Sequence, residues 1–141
     1  MRVGLTVLDA GVVIALLDAS DVHHAAAITS VRDALKQGDV LMLPASAYAE
    51  CLVAPSRRGP GAVAVVNELL DALPARVEPA DRSIAARAAP LRATHGTAMR
   101  LPDALVVATA LVHGADRIIT TDRAWPTVPI SVEVLPASQA R

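Results

Sequence analysis

A single α/β domain, with a parallel sheet of about five strands and helices on both faces, is the fold this sequence predicts. Three observations carry the prediction. Short β-branched apolar runs alternate with longer helical runs from one end of the chain to the other. A length of 141 residues suits one domain, taken here as residues 1–141. Apolar residues make up 53% of the chain and charged residues only 19%, enough for a real core and too apolar for disorder.

In chain order, Val3 to Leu8 is an apolar run with β-branched Val3, Thr6 and Val7, suited to a strand buried on both faces. It ends at Asp9, and Gly11 leads into a helical run from Val12 to Leu17. Ser20-Asp21 opens a second helix, about His23 to Lys36, which Gly38 stops. His23 and His24 are neighbours in sequence, so they cannot share a helix face, and they are read as surface or cap residues. Val40 to Leu43 is the second strand, closed by Pro44. Ser46 is the expected cap of the next helix, with Glu50 one turn inside it.

Pro55 to Gly61, carrying Arg57 and Arg58, reads as a Pro/Gly loop with a small basic cluster. Ala62 to Leu73 is an amphipathic helix ended by Pro74, and Arg76 to Glu78 a third strand. Asp81 or Ser83 begins a helix reaching about Thr94, which Pro90 is expected to bend or break. After a turn at His95-Gly96-Thr97 comes a run of core residues, Leu101 to Ala110, with Pro102 at its start and Gly114 after its end. It is apolar on nearly every face except for Asp103 in the first turn. Arg117 to Thr120 is the fourth strand, followed by Thr121 and Asp122. Ile130 to Leu135 is the fifth, and the tail from Pro136 is expected to fray.

Composition narrows the function. Phe is absent, with one Trp and one Tyr, which disfavours modules that stack bases on aromatic rings. A net charge of −1 provides no global field for nucleic acid. Lys36 is the one lysine among 13 basic residues, and arginine grips phosphate with two parallel hydrogen bonds. Cys51 is the one cysteine, which excludes an internal disulfide. Met1 to Leu17 has the outline of a signal peptide, but Asp9 and Asp18 interrupt it. No apolar run approaches the roughly 20 residues of a membrane span. A cytoplasmic protein with no membrane contact is expected.

Asp9 and Asp122 follow strands whose carboxyl ends share one edge under right-handed crossovers. Glu50 and Asp103, read as first-turn residues of helices, begin on that edge too. Four carboxylates from distant segments therefore converge, and unpaired they would repel and raise one another's pKa. A hard divalent cation resolves the conflict, and an all-oxygen set suits Mg²⁺ or Mn²⁺ over Zn²⁺.

Leu-Asp9 at the first strand end, Ala-Glu50 in an early helix, Leu-Pro-Asp103-Ala-Leu and Thr-Thr-Asp122 together resemble the PIN-domain ribonucleases. The likeness is greatest to VapC-type toxins of bacterial toxin–antitoxin pairs, and covers essentially the whole chain. It departs at Ala10 and Gly11, where the family often has a hydroxyl residue and Asn, and Trp125 stands where an aromatic, commonly Phe, follows the last acid.

The resemblance implies an endoribonuclease in which one or two Mg²⁺ or Mn²⁺ ions activate water. Asp9 and Asp103 would be direct ligands, with Glu50 and Asp122 completing the cluster. Arg57, Arg58, Arg100 and Arg123 are the candidates for holding RNA, by proximity in sequence. It also implies a homodimer silenced by a VapB-like antitoxin. Receiver domains and haloacid-dehalogenase-type phosphatases share the acidic strand ends but need a lysine at the phosphoryl group, and Lys36 is far along a helix. The phosphatases also want Asp-x-Asp where this chain has Asp9-Ala10-Gly11. A catalytically inactive PIN scaffold that binds RNA or protein is the remaining alternative, and four intact acids argue against it.

Overall fold

A computed structural model describes residues 2–138. Five parallel strands form one sheet in the order β3-β2-β1-β4-β5. They are β1 (Leu5–Leu8), β2 (Val40–Pro44), β3 (Ala75–Glu78), β4 (Arg117–Thr120) and β5 (Val132–Val134). The helices are α1 (Ala10–Leu17), α2 (His24–Lys36), α3 (Ala45–Arg58), α4 (Pro60–Ala72), α5 (Arg82–His95) and α6 (Leu101–Val112), with a 3₁₀ turn at Gly96–Ala98. The chain steps outward from β1 to β3, then returns to the other side of β1. Right-handed crossovers therefore put α1 to α4 on one face and α5 and α6 on the other.

The central strands are the apolar ones because they are covered twice. Val7, Leu8, Leu41, Met42, Leu43, Ile118 and Ile119 have at most 1% of their surface exposed, whereas β3 and β5, at the edges, are partly open. In α6, Ala104 and all residues from Val106 to Ala110 are buried, and the helix packs across β2 and β4. With no Phe, volume is filled by Leu, Ile, Val and Met side chains.

The opposite, amino-terminal edge of the sheet is tied by a chain of polar contacts. Arg117 of β4 donates from Nη1 to Glu133 of β5 at 2.7 Å and from Nε to the Thr6 hydroxyl of β1 at 3.1 Å. Thr6 in turn donates to Asp39, just before β2, at 2.8 Å, and Ser30 of α2 donates to the second Glu133 oxygen at 2.5 Å. Three strands, and the residue that leads into a fourth, are thereby tied together.

Several expectations are corrected. Arg57 and Arg58 are not in a loop: α3 runs through Pro55 to Arg58, and Gly59 alone, with φ of 120°, separates it from α4. Pro55 is tolerated because its ring is the third rung of a buried stripe with Ala47 and Cys51, whose packing offsets the missing hydrogen bond. Likewise α5 continues through Pro90. Pro90 and Ala86 are both exposed, so water can satisfy the carbonyl left without a donor. Ser46 does not cap α3; Pro44 holds the cap position, and the buried Ser46 hydroxyl has no partner.

Starting at Ala45, α3 carries Glu50 in its second turn and not its first. His23, not Ser20 or Asp21, holds the cap position of α2, although Asp21 accepts the His23 amide at 2.8 Å. His24 donates from Nδ1 to the Ala15 carbonyl at 2.6 Å, joining α2 to α1. The fifth strand is shorter than expected. The tail does not simply fray from Pro136, since Ser138 donates its amide to the Val22 carbonyl at 2.7 Å; the rest of that tail, and Met1, lie outside the described residues. No helix among the described residues is long and apolar enough to cross a membrane.

Candidate active site

The strand order reverses between β1 and β4, and in open parallel sheets the crevice at such a point, outside the carboxyl ends, is where ligands bind. Asp9 follows β1 there and Asp122 follows β4 by two residues. Asp9 is also the amino-terminal cap of α1, with Oδ1 accepting the Ala10 amide at 2.8 Å. Its Oδ2 accepts from the Thr120 hydroxyl at 2.7 Å, and that hydroxyl oxygen accepts the Asp122 amide at 3.1 Å. One buried threonine thus joins the two strand-end acids. Asp122 Oδ1 accepts the Ala124 amide at 2.8 Å, closing the turn beyond β4.

Asp103 enters from the other face, in the first turn of α6, with a side chain 14% exposed. Burial and then the charge of Asp9 push its carboxyl up to about 6; Asp122 and Glu50 add to the rise and Arg100 opposes it. Glu50 is raised by burial and by Asp9, again against Arg100. Asp9 itself is raised, mainly by burial, with Asp122 adding and the hydrogen bonds from Thr120 and Ala10 resisting. The four acids expected from the sequence thus share one electrostatic field centred on Asp9. They are not drawn into contact: among the described residues no group of three acidic, histidine or cysteine side chains stands as a closed ligand set.

The donor chemistry nevertheless fits a hard cation. All four groups offer carboxylate oxygens. Each Asp9 oxygen uses one acceptor site internally and keeps another free, as a fixed ligand should. Cys51, whose sulfur lies 3.8 Å from the Ala10 carbonyl, is no competing ligand or nucleophile. Burial, with the charges of Asp9 and Glu50 adding, pushes its thiol up to about 12.

The expected substrate-holding arginines are spread out. Arg100 is at the cluster, its Nε 3.9 Å from Asp103 Oδ2 and its side chain 74% exposed. Arg58 lines a 360 Å³ cavity together with Glu50, Cys51, Asp18 and Pro55. Arg57, beside it in the last turn of α3, is exposed and outside that cavity's lining. Arg123 lines a separate 200 Å³ cavity with Asp122 and Trp125. Thr120 is the site residue that sequence reasoning missed. The available signal was a polar residue at the buried end of an otherwise Ile-rich strand, two residues before an acid.

A parallel α/β domain with acids following both strands of its topological switch point defines a class of acidic-site domains. A family profile for the PIN domain matches residues 6–130, and the chain belongs to that family. Among solved structures it is similar to VapBC2 from Rickettsia felis, bound to a DNA fragment from its promoter. The TM-score is 0.72 at 13% identity, over 94% of this chain and 99% of that one. It is also similar to FitAcB from Neisseria gonorrhoeae, with a TM-score of 0.64 at 23% identity over 90% and 95% of the two chains. A third likeness is to Mycobacterium tuberculosis VapC20, described as a sarcin-ricin loop cleaving toxin. Its TM-score is 0.64 at 20% identity over 80% and 86%. At these identities the likeness is one of fold. No curated protein matches the chain.

Proposed function

We propose that this protein is a divalent-metal-dependent endoribonuclease and the toxin of a toxin–antitoxin pair. The observation that carries the reading is the convergence of Asp9, Glu50, Asp103 and Asp122: burial first, and then the charges of Asp9, Asp122 and Glu50, hold the Asp103 carboxyl up at about 6. Such crowding is costly unless a cation is bound, so the acids are read as its ligands. Asp9 and Asp103 would hold it directly, with Glu50 and Asp122 bound directly or through water. Bound Mg²⁺, or Mn²⁺ in its place, would supply a water activated for attack on a phosphodiester and neutralise charge on the departing oxygen.

The chain's own residues do the rest. Thr120 fixes the orientation of Asp9 by holding one of its oxygens. Arg100, exposed beside Asp103, would meet a phosphate approaching the acids. Arg58 and Arg57, with Arg123 on the other flank, would extend that contact along the backbone. The buried, unreactive Cys51 thiol offers no covalent route.

RNA as substrate is supported by the sarcin-ricin loop cleavage described for VapC20, and an antitoxin of the VapB kind by the likeness to the FitAcB and VapBC2 structures. A homodimer is supported by large apolar side chains left open, including Val53, Val65 and Leu101, each more than half exposed. A cytoplasmic location goes with an RNA target. The direct test is incubation of purified protein with RNA and Mg²⁺ or Mn²⁺, beside an Asp9→Asn control. Cleavage by the wild type alone supports the reading, and equal cleavage by both refutes it.

A further inference from the structure

Gly11 is the second residue of α1, two positions past Asp9, and its φ is not positive, so space and not backbone geometry calls for glycine here. A methyl group built on it would overlap the Thr121 hydroxyl oxygen, with the Thr121 Cβ and Cγ2 next at 3.3 and 3.4 Å. The first turn of α1 therefore has a notch, and a hydroxyl from beyond β4 fills it. Thr121 stands between Thr120 and Asp122, yet takes no part in the bonds that join Thr120 to Asp9 and Asp122. It is only partly buried, so water reaches it.

Resting on the nuclease reading above, we propose that Thr121 is a positioning residue. Lodged in the notch at Gly11, its hydroxyl orients a water of the hydrated cation beside Asp9 and Asp122. Three physical points support this. A hydroxyl both donates and accepts, as a partner of bound water must. Mg²⁺ keeps several of its waters, and these are ordered only if rigid groups hold their outer side. Thr121 is rigid: its β-branched side chain has few rotamers, and contact with Gly11 restricts them further.

The experiment compares wild type, Thr121→Val, Thr121→Ser and the Asp9→Asn control. It measures Mn²⁺ affinity by titration calorimetry without RNA, steady-state cleavage, and melting of the metal-free protein. Valine keeps the shape and removes the hydroxyl; serine keeps the hydroxyl. The valine variant should lose about tenfold in both Mn²⁺ affinity and kcat, with KM for RNA and metal-free melting unchanged. The serine variant should recover to within about twofold of wild type. Gly11→Ala tests the notch itself: it should lower the metal-free melting temperature in the wild type but scarcely in a Thr121→Ala background.

Full Mn²⁺ affinity and kcat in Thr121→Val would overturn the proposal while leaving the nuclease reading intact, provided Asp9→Asn is dead. A serine variant as defective as valine would also overturn it, since shape would then matter and the hydroxyl would not. Equal destabilisation by Gly11→Ala in both backgrounds would remove its geometric basis. A wild type that neither binds Mn²⁺ nor cleaves RNA would bring down the nuclease reading and this inference together.

Discussion

Replacing Asp103 by Asn should raise the stability of the metal-free protein while abolishing cleavage. The carboxyl titrates near 3.8 in an ordinary setting and at about 6 in the folded chain, so the fold holds its proton more tightly than the unfolded chain does. Between those two values the unfolded state has already released the proton, and stability falls as pH rises. At about 1.4 kcal/mol per pH unit the loss approaches ~3 kcal/mol if nothing screens it. The Asp103 side chain keeps 14% of its surface exposed, however, and with screening by solvent there about half that figure, ~1.5 kcal/mol, is a realistic gain for the asparagine variant.

For a chain of this length the gain corresponds to about 5 °C in Tm. It should be full above pH 6, shrink between pH 6 and pH 4, and vanish below, because the wild-type carboxyl is then neutral in both states. The assay is thermal melting in EDTA from pH 4 to 8. Added Mn²⁺ should then stabilise the wild type and not the variant, since only a ligand that binds the folded state shifts melting. A variant less stable than wild type at pH 7.5 by about 3 kcal/mol would refute the reasoning. It would show that Asp103 is the indispensable partner of a buried cation, with Arg100 the candidate. A gain independent of pH would refute it too.

Other outcomes follow from the same geometry. EDTA should abolish RNA cleavage by purified protein and Mn²⁺ restore it; chelator-resistant cleavage would exclude the metal mechanism. Changing Arg57 and Arg58 together to Ala should leave stability within about 0.5 kcal/mol, because both are exposed and alanine suits a helix at least as well. The same change should lower the salt slope of RNA binding by about 0.7 for each phosphate no longer neutralised, and an unchanged slope would exclude that role. Glu133→Gln should cost about 1–3 kcal/mol in chemical unfolding with metal affinity intact, since it leaves the Arg117 guanidinium short of its ionic partner far from the acids. Sedimentation at micromolar concentration should show a homodimer; a monomer would exclude one.

The acids at strand ends were legible because an apolar run stopping at a carboxylate has one simple reading in a parallel sheet. Arg117 to Thr120 has the bounds expected, and Asp9 and Asp122 flank the switch point as the alternation of elements required. What misled was proline. Pro55 reads locally as a breaker, yet a stripe of buried side chains four residues apart outweighs one missing amide donor, a tertiary effect no local pattern contains. Moving Arg57 and Arg58 from loop to helix followed from that one misreading. The helix start at Ala45 was hidden for a related reason: Ser46 is a good cap in isolation, but the chain turns one residue earlier, at Pro44. The Gly11–Thr121 contact was out of reach because it joins segments far apart in sequence.

The order of the strands in the sheet also bears on how the chain is made. The first of the five strands to be synthesised is the middle one. Until β2 and β4 exist, β1 has no neighbour on either side, and Thr6 meets its β4 partner only at Arg117. The pairing that brings Asp9 and Asp122 together is therefore among the most non-local in the molecule, and such pairings form late and slowly. A nascent chain still short of β4 carries Asp9, Glu50 and Asp103 but no closed crevice to gather them. On the nuclease reading, a ribosome would expose no complete acidic site until the sheet is nearly finished, and a chain cut before Arg117 would lack both Thr120 and Asp122.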